Sequence, residues 1–363
     1  MRIALITPGG LGPTAGGGGI PVITRLAEML AEDHCVTAFS LSRVEQPPEL
    51  NIWHPDTQSV TRSSVLQALR ALINEGRRTP FDVIHGFWSF PAGALAVMAA
   101  KLTGARSVVT LQGAETAAVP EIGYGDLLNR YHTMRGRLTC RAANAVVLLS
   151  HLQERAFHNA GFRARHTEVI PWGVPDSVFR YAPSVLSEPL QFVHVANLTE
   201  VKNQARMLRV FGQIAARRPA ELTIVGPDHM QGRLQAITRE LGLTDRVRFT
   251  GYLPQPAVAE AYRKAHFLLH TAYWESQGVA AIEAAMSGAV PCGTPTGCMA
   301  DRDDACVTSD DDDELIEAIL DVADDQTAYR AMLDTGRATA AAQDSTWNAA
   351  TYVALYSRLL AAA

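Results

Sequence analysis

Residues 267–292 have the sequence FLLHTAYWESQGVAAIEAAMSGAVPC and decide the fold. An apolar run at Phe267–Thr271 predicts a buried strand, the small apolar residues at 279–287 predict a helix, and Val290–Cys292 predicts a second strand. A strand that is followed by a helix and a further strand forms a crossover unit with parallel strands. This stretch therefore predicts an α/β fold with a parallel sheet.

The same alternation extends in both directions along the chain and restarts after its midpoint. In the first half it predicts strands at Arg2–Thr7, Cys35–Leu41, Asp82–Phe87, Ser107–Leu111, Ala145–Leu149 and Thr167–Ile170. In the second half it predicts further strands at Gln191–Val195, Glu221–Val225, Val247–Thr250 and Cys306–Thr308. Helices are predicted at Pro21–Glu32, 203–217, 230–242, 256–264, 312–323 and Trp347–Leu360. The pattern favours two Rossmann-like, doubly wound domains.

A proline-rich segment separates the two series of strands. Trp172–Pro189 contains Pro175 and Pro183, ends on a third proline and has no clear period, so we interpret it as a linker. We expect a first domain over 1–172, a second over 190–342 and a C-terminal helix over 343–363 that packs back on the first domain. Ligands of such sheets bind at the carboxyl ends of the strands, which predicts a site in the cleft between the two domains.

Composition excludes several classes of protein. A length of 363 residues is ample for two domains, and a net charge of −5 gives no support for a nucleic acid partner. The five cysteines show no CxxC spacing, which favours reduced thiols and a cytoplasmic location. The longest small apolar stretch, Pro91–Ala100, is well short of the ~20 residues of a membrane span. Peripheral contact with the inner face of the membrane remains open.

Two glutamates separated by seven residues mark a candidate site. Glu275 lies in the loop after the predicted strand and Glu283 lies within the following helix. Gly278 allows a tight turn into that helix, whose free N–H groups form an anion site. The neighbours of Glu283 are apolar, so its carboxylate needs a partner or a ligand. We expect both carboxylates to serve a ligand, which requires that internal ion pairs do not already satisfy them.

This segment resembles the E-x7-E signature of the family 4 retaining glycosyltransferases, which have the GT-B fold. The likeness covers most of the chain. It extends to VKNQ at 201–204, to ELTIVGPD at 221–228, to DRVRFTGYL at 245–253 and to TPTGCMAD at 294–301. In the first half it includes PTAGGGGIPVITRLAEML at 13–30 and TEVIPWGVPDSVF at 167–179.

The resemblance implies transfer of a hexose from a nucleoside diphosphate sugar to a hydroxyl acceptor, which is a glycan, a lipid-linked molecule or a small molecule. Glu275 would hold the donor sugar, Glu283 the ribose and Lys202 the phosphates, with no cofactor beyond the co-substrate. The implied donor-binding residues are Gly16, Gly17, Gly18, Gly19, Asn197, Lys202, Gly226, Tyr252, Leu253, Glu275, Ser276, Gln277, Gly278, Val279 and Glu283. The candidate catalytic residues are Glu275, Lys202 and Gln112, which stand at family positions, and His85, which lies at the end of a first-domain strand.

Two positions depart from the family pattern. Asn197 stands where the family usually has an arginine, and Gln112 stands where it commonly has a histidine. A catalytically impaired nucleotide-sugar binding protein and a nucleotide-sugar epimerase of the same architecture therefore stay as alternatives. A dinucleotide dehydrogenase is disfavoured because the glycine run lacks the GxGxxG spacing. His85, near the end of a strand, either faces the site or is bonded within the sheet.

Two charged clusters complete the analysis. Asp310–Asp313 precede a helix and are expected to cap it, so we predict no catalytic metal. Arg130, Arg135, Arg137 and Arg141 form a basic helical stretch in the first domain. Such a stretch is usually a solvated face, and it could alternatively attract a phosphorylated acceptor or an anionic lipid surface.

Overall fold

The computed structural model describes residues 1–11, 20–44 and 50–362, which form two compact units. The first unit comprises Met1–Trp172 together with the C-terminal segment from Ser345, and the second comprises Gly173–Asp344. Each unit is built on one parallel sheet, which confirms the predicted α/β class with two doubly wound sheets. The predicted donor loop Gly16–Gly19 lies outside the described residues.

Among the described residues, the sheet of the first unit has seven strands in the order β3-β2-β1-β4-β5-β6-β7. The strands are β1 Arg2–Thr7, β2 Cys35–Ser40, β3 Asn51–Trp53, β4 Val83–Phe87, β5 Arg106–Thr110, β6 Ala145–Leu148 and β7 Thr167–Val169. The helices are α1 Pro21–Asp33, α2 Arg62–Arg78, α3 Ala94–Thr103, α4 Arg130–Ala142 and α5 His151–Asn159. The six predicted strands of this half are present within a residue or two, and the short edge strand β3 is an addition.

Among the described residues, the sheet of the second unit has six strands in the order β10-β9-β8-β11-β12-β13. The strands are β8 Leu190–Val195, β9 Ala220–Val225, β10 Val247–Gly251, β11 Phe267–His270, β12 Val290–Gly293 and β13 Val307–Thr308. The helices are α6 Gln204–Arg217, α7 Arg233–Glu240, α8 Gln255–Lys264, α9 Val279–Ser287, α10 Asp312–Asp324 and α11 Gln326–Ala342. All the predicted elements of this half are present, and α11 is an addition.

The last helix, α12 at Ser345–Ala361, belongs to the first unit. It packs against α1, and its Tyr352 and Tyr356 are fully buried. The segment 173–189, predicted as a linker, is part of the second unit. Val174 and Phe179 are buried in its core beside Tyr262, because burial of apolar side chains is favourable and requires no regular secondary structure. No described helix is long and apolar enough to cross a membrane.

Candidate functional site

The candidate site of the second unit lies where the winding of its sheet changes direction. The chain runs outward from β8 through β9 to β10 and then returns to place β11 on the other side of β8. The loops that follow β8 and β11 therefore leave the sheet side by side and turn in opposite directions, which opens a crevice that ligands of such sheets occupy. Lys202 and Glu275 lie in these two loops.

Hydrogen bonds to main-chain carbonyl oxygens tie the two loops together. The Tyr273 N–H donates to the Val201 carbonyl oxygen over 2.9 Å, and the Thr271 hydroxyl donates to the Asn203 carbonyl oxygen over 3.0 Å. Lys202 ends a short 3-10 turn at Glu200–Lys202. These contacts fix its side chain beside the loop that carries Glu275.

Glu275 accepts from two cation-capable side chains at once. Its Oε1 forms an ion pair with the Lys202 ammonium and lies 2.8 Å from His270 Nε2. A carboxylate only accepts, so Nε2 carries the hydrogen of this contact. Burial alone would raise the pKa of Glu275, but Lys202 and His270 outweigh it and bring the pKa to about 2. Glu275 is therefore an anion at every physiological pH.

The ion pair corrects one sequence expectation, that internal partners do not satisfy Glu275. Its partner is Lys202, which the sequence assigned to the donor phosphates. The physical reason is that an anion with only 14% of its side chain exposed requires a nearby cation when no ligand is bound. The two predicted donor-site charges thus neutralise each other in this structure.

A histidine that the sequence analysis missed, His270, forms a hydrogen bond with Glu275 from the end of β11. His270 is the last residue of β11 and is 2% exposed. Its ring stacks on that of His194 with centroids 5.5 Å apart. His194 Nδ1 lies 2.8 Å from the Leu269 carbonyl oxygen, and burial lowers the pKa of His194 to about 3, so this ring is a neutral packing partner. The signal in the sequence was a polar residue at the carboxyl end of a buried strand, five positions before Glu275.

Helix α9 begins directly after this loop. Gly278 precedes it in the left-handed conformation, with φ of 77°, which only glycine adopts readily. No side chain in the described part of the chain caps the helix, and its first turn carries no acidic residue. Its first N–H groups and the positive end of its dipole therefore remain suited to an anion, three residues from Glu275. Val279 is the first helical residue, and Ser276 and Gln277 are buried in the loop before it.

The loop after β12 holds Glu275 from the other side. The Glu275 N–H donates to the Thr296 hydroxyl over 2.8 Å, and the Cys298 N–H donates to the Gln277 carbonyl oxygen over 2.6 Å. Thr296 is therefore a second residue that the sequence analysis did not assign to the site.

Glu283 lies one turn into α9 with a neutral partner. The Tyr262 hydroxyl of α8 donates to Glu283 Oε2 over 3.0 Å, and no cation pairs with Glu283 among the described residues. Burial raises the pKa of Glu283 to about 7, although the Tyr262 hydrogen bond acts in the opposite direction. A carboxyl held this way is poised between its two protonation states near neutral pH.

The other predicted donor residues of this unit surround the same end of the sheet. Asn197 follows β8 and is exposed, while Tyr252 and Leu253 follow β10 with Tyr252 51% exposed. Gly226 follows β9 in close contact with the loop after β8, since a Cβ built there would lie 1.8 Å from the Ala196 carbonyl oxygen. The structure thus brings the loops of β8, β9, β10 and β11 to one edge.

In the first unit, Gln112 lies two residues beyond β5, at the carboxyl end of that sheet. Trp172 Nε1 donates to Gln112 Oε1 over 3.3 Å, whereas Gln112 Nε2 is buried and has no hydrogen-bond partner among the described residues. Glu115 accepts from the N–H groups of Ser89 and Gly113 and shapes this turn. The Gln112 amide therefore keeps a donor to offer to a ligand.

The predicted role of His85 at a ligand site is not supported by its position. His85 is the third residue of β4 and is fully buried. Its Nδ1 lies 2.7 Å from the Tyr356 hydroxyl and its Nε2 lies 2.7 Å from the Thr110 hydroxyl, so both nitrogens are occupied. Burial lowers the pKa of His85 to about 3. The reason is that α12, distant in sequence, covers this part of the strand, and of the two readings the one bonded within the sheet fits.

The acidic residues Asp310–Asp313 lie at the N-terminal end of α10. Asp311 caps α10 by accepting from the N–H groups of Asp313 and Glu314, and Asp312 pairs with Arg206. Within the described parts of the chain, no group of three or more His, Cys, Asp and Glu side chains has the geometry of a metal site. Metal independence stays a prediction.

Sequence comparisons match both halves of the chain. The profile of "Glycosyl transferases group 1" matches residues 181–339, and that of "Glycosyl transferase 4-like domain" matches residues 17–173. N-acetyl-alpha-D-glucosaminyl L-malate synthase of Bacillus anthracis is 26% identical over 312 residues, covering 78% of this chain and 77% of that protein. D-inositol 3-phosphate glycosyltransferase of Thermomonospora curvata is 36% identical over 101 residues, covering 26% of this chain and 22% of that protein.

Structural comparisons match the whole chain. Sucrose-phosphate synthase from Thermosynechococcus elongatus superposes with a TM-score of 0.81 at 18% identity and with full coverage of both chains. Anabaena HepE in complex with UDP and glucose superposes with a TM-score of 0.76 at 16% identity, covering 99% of this chain and 100% of that one. At these identities the likeness establishes the fold.

Proposed function

Because the chain belongs to the family 4 glycosyltransferases with the GT-B fold, we propose that it transfers a hexose from a nucleoside diphosphate sugar to a hydroxyl acceptor with retention at the anomeric carbon. The observation that carries this proposal is the convergence of Lys202, Glu275 and the start of α9 at the switch point of the second sheet. The Lys202 ammonium and the start of α9 suit the diphosphate of such a donor. The Glu275 carboxylate suits its sugar, because it accepts hydrogen bonds from hydroxyl groups.

Donor binding would exchange the partners of the ion pair. The diphosphate takes the Lys202 ammonium and lies over the start of α9, which frees Glu275 to accept from the hydroxyls of the sugar. His270 keeps its hydrogen bond to Glu275, so the carboxylate retains its orientation after Lys202 has moved to the phosphates. Glu283 accepts from the ribose hydroxyls in its ionised form.

The same groups would stabilise the transition state. As the bond between the sugar and the diphosphate breaks, negative charge grows on the leaving phosphate. The Lys202 ammonium and the positive end of the α9 dipole lie beside this phosphate and stabilise the charge. In the family pattern the acceptor attacks from the leaving-group face and a donor phosphate oxygen takes its proton. Lys202 and the helix end supply the positive charge, so we propose that no divalent metal is required.

The chain would work in the cytoplasm on an acceptor that presents a free hydroxyl. All five cysteines carry free thiols, three of them buried, which suits a reducing compartment. In the first unit Gln112 Nε2, which has no hydrogen-bond partner among the described residues, is suited to donate to a sugar hydroxyl, although the amide cannot take a proton.

The variant Glu275→Gln tests the proposal. We expect turnover, measured as nucleoside diphosphate release with a panel of acceptors, to fall by about a hundredfold, because hydrogen bonds to the reacting sugar are weakened in the transition state. Nucleoside diphosphate affinity is expected to be unchanged or tighter, because Lys202 loses its competing carboxylate. The matched control is Glu240→Gln, at the exposed end of α7. Equal losses in turnover and affinity, or donor binding without turnover in the unmodified protein, would refute transferase chemistry at this site.

A further inference from the structure

One helix of the first unit turns its large apolar side chains outward. The exposed residues of α4 recur at helical spacing and form a single stripe. Three of them are large and apolar, with Tyr131 59%, Met134 51% and Leu138 60% exposed. The stripe, here called the α4 face, consists of Arg130, Tyr131, Met134, Arg137, Leu138 and Arg141.

The buried side of α4 is small by comparison. Gly136, Thr139 and Cys140 are the buried residues, so the helix sits close to the unit without using its large apolar side chains. This reverses the usual order, in which a surface helix buries its large apolar residues and exposes its polar ones. Contiguous exposed apolar side chains on a monomer mark an interaction surface.

The charge of this surface has one sign. A groove of about 1310 Å³ runs along α4, and the described residues that line it include five arginines and no acidic residue. Two of these, Arg163 and Arg165, come from the segment after α5. Asp126, at the N-terminal end of α4, faces His132 instead, 3.2 Å from its Nδ1. Since the whole chain has a net charge of −5, this basic surface is a local feature.

The neighbouring helix carries a similar pattern. α3 packs against α4, and its exposed residues include Met98 and Leu102, at 46% and 58%, with Lys101 beside them. Lys101 is one of three lysines in the chain. Arg135 lies over the rings of Tyr131 and Phe90, at 4.5 Å and 4.0 Å from their centroids, and thereby holds Tyr131 in its outward position.

We propose that the α4 face docks on an anionic membrane surface. Tyr131, Met134 and Leu138 enter the interfacial layer of the bilayer, and the arginines contact the phosphates of the lipid headgroups. A soluble phosphorylated molecule would account for the arginines but would leave the three apolar side chains in water. A lipid surface of negative charge satisfies both sets at once. This docking goes beyond the proposed transfer reaction and does not depend on it.

Vesicle sedimentation with the full chain tests the docking. We expect binding to vesicles of phosphatidylcholine with phosphatidylglycerol, weak binding to phosphatidylcholine alone, and loss of binding at high salt. The double variant Arg130→Gln/Arg141→Gln removes two charges and should lower the partition coefficient by about 25-fold, on the order of fivefold per arginine. Met134→Ser/Leu138→Ser should lower it by about tenfold through lost apolar burial.

Matched controls lie on α2, where Arg77→Gln/Arg78→Gln removes the same charge and Leu66→Ser removes a comparably exposed apolar side chain. Both controls should bind as the unmodified protein does, and thermal unfolding should confirm that all variants fold. Absence of vesicle binding, or equal binding by the α4 variants, would overturn the proposal. Binding of soluble glycerol phosphate that needs Arg130 and Arg141 but not Met134 and Leu138, without vesicle binding, would assign the groove to a phosphorylated acceptor instead.

Discussion

Glu283 holds its proton more tightly in the folded chain than a free glutamate does. Burial against α8 raises its pKa from 4.5 to about 7. Between these two pH values the folded state keeps a proton that the unfolded state has lost. The free energy of unfolding therefore falls as pH rises through this window and levels off above it, by about 3 kcal/mol at most.

The variant Glu283→Gln should remove this pH dependence. A glutamine keeps an oxygen for the Tyr262 hydroxyl and carries no charge, so we expect the variant to be about 2 kcal/mol more stable than the unmodified protein at pH 8 and similar near pH 5. Urea unfolding at the two pH values measures the difference. Should the two proteins show parallel pH profiles, Glu283 does not titrate in this window. The same variant should bind the donor more weakly, since the ribose loses an anionic acceptor.

His270 is a positioning residue for Glu275. His270→Phe removes the Nε2–H hydrogen bond, and we expect turnover to fall by about tenfold with little change in nucleoside diphosphate affinity, because the Glu275 carboxylate loses its orientation. His270→Gln, which offers an N–H donor, should recover part of the turnover. Steady-state kinetics and a binding titration on the two variants separate the effects. A loss of affinity equal to the loss of turnover would indicate a general disruption of the loop.

The sequence singled out Glu275 and Glu283 by their spacing and Lys202 by the family resemblance, but it did not indicate their partners. Their separations along the chain match a known pattern, whereas Tyr262 and His270 act through contacts that exist only after folding. Tyr262 reaches Glu283 from a different helix, 21 positions away. The ion pair between Lys202 and Glu275 spans 73 positions, and no periodicity in the sequence indicates that these two side chains meet.

At the level of elements, the loops at the carboxyl edge of the second sheet depend on close backbone contact. Gly226, with φ of 141°, lies where an added Cβ would approach the Ala196 carbonyl oxygen to 1.8 Å. Gly242 also has a positive φ, of 67°, but none of the residues that the structure describes lies within 4 Å of an added Cβ. The two glycines therefore separate the effect of a collision from that of backbone strain.

Gly226→Ala should destabilise the protein by about 3 kcal/mol or more, because the loops after β8 and β9 must move apart to admit a methyl group. Gly242→Ala should cost only about 1 kcal/mol, from the left-handed conformation alone. Urea unfolding of both variants gives the comparison. Equal losses in the free energy of unfolding would mean that the loop after β8 moves aside at little cost. Donor affinity should then be unaffected in both variants.

Two of the elements that the sequence did not predict, β3 and α11, have weak signals for physical reasons. β3 has only three residues, pairs at the edge of its sheet with β2 and follows a proline-rich segment, so it offers neither length nor alternation. α11 follows α10 after a single residue, and many of its positions are alanine, so no strong amphipathic pattern sets it apart. The other strands of the two sheets were predicted because buried parallel strands are continuous apolar runs.

At the scale of the whole molecule, α12 returns the end of the chain to the first unit. Tyr352 and Tyr356 are fully buried there, and the Tyr356 hydroxyl lies 2.7 Å from His85 Nδ1. The predicted boundary near residue 343 lies close to the observed change of unit at Ser345. The boundary near residue 172 coincides with the end of the first unit, but the following segment joins the second unit instead of forming a linker.

The variant Tyr352→Ala should destabilise the first unit by about 3–5 kcal/mol, as large core truncations do. Tyr356→Phe should cost about 1 kcal/mol, because the buried His85 nitrogen loses its partner. Amide hydrogen exchange of β4 and β5 measures the effect within this unit. Tyr131→Ala, at an exposed position of α4, is the control and should leave exchange unchanged. Faster exchange in the second unit alone would contradict this assignment of α12.

A ligand that binds between Lys202 and Glu275 must replace the ion pair that these two residues form with each other. An inorganic anion that binds the ammonium leaves the buried carboxylate with His270 as its one remaining side-chain partner among the described ion pairs. A neutral sugar that binds the carboxylate leaves the ammonium without its counter-charge. A molecule that carries a phosphate and sugar hydroxyls together supplies a new partner to Lys202 and to Glu275 at the same time. Small inorganic anions that are abundant in the cell should consequently be poor competitive inhibitors. The ion pair would thus select the donor over such anions before the loops after β9 and β10 contact it.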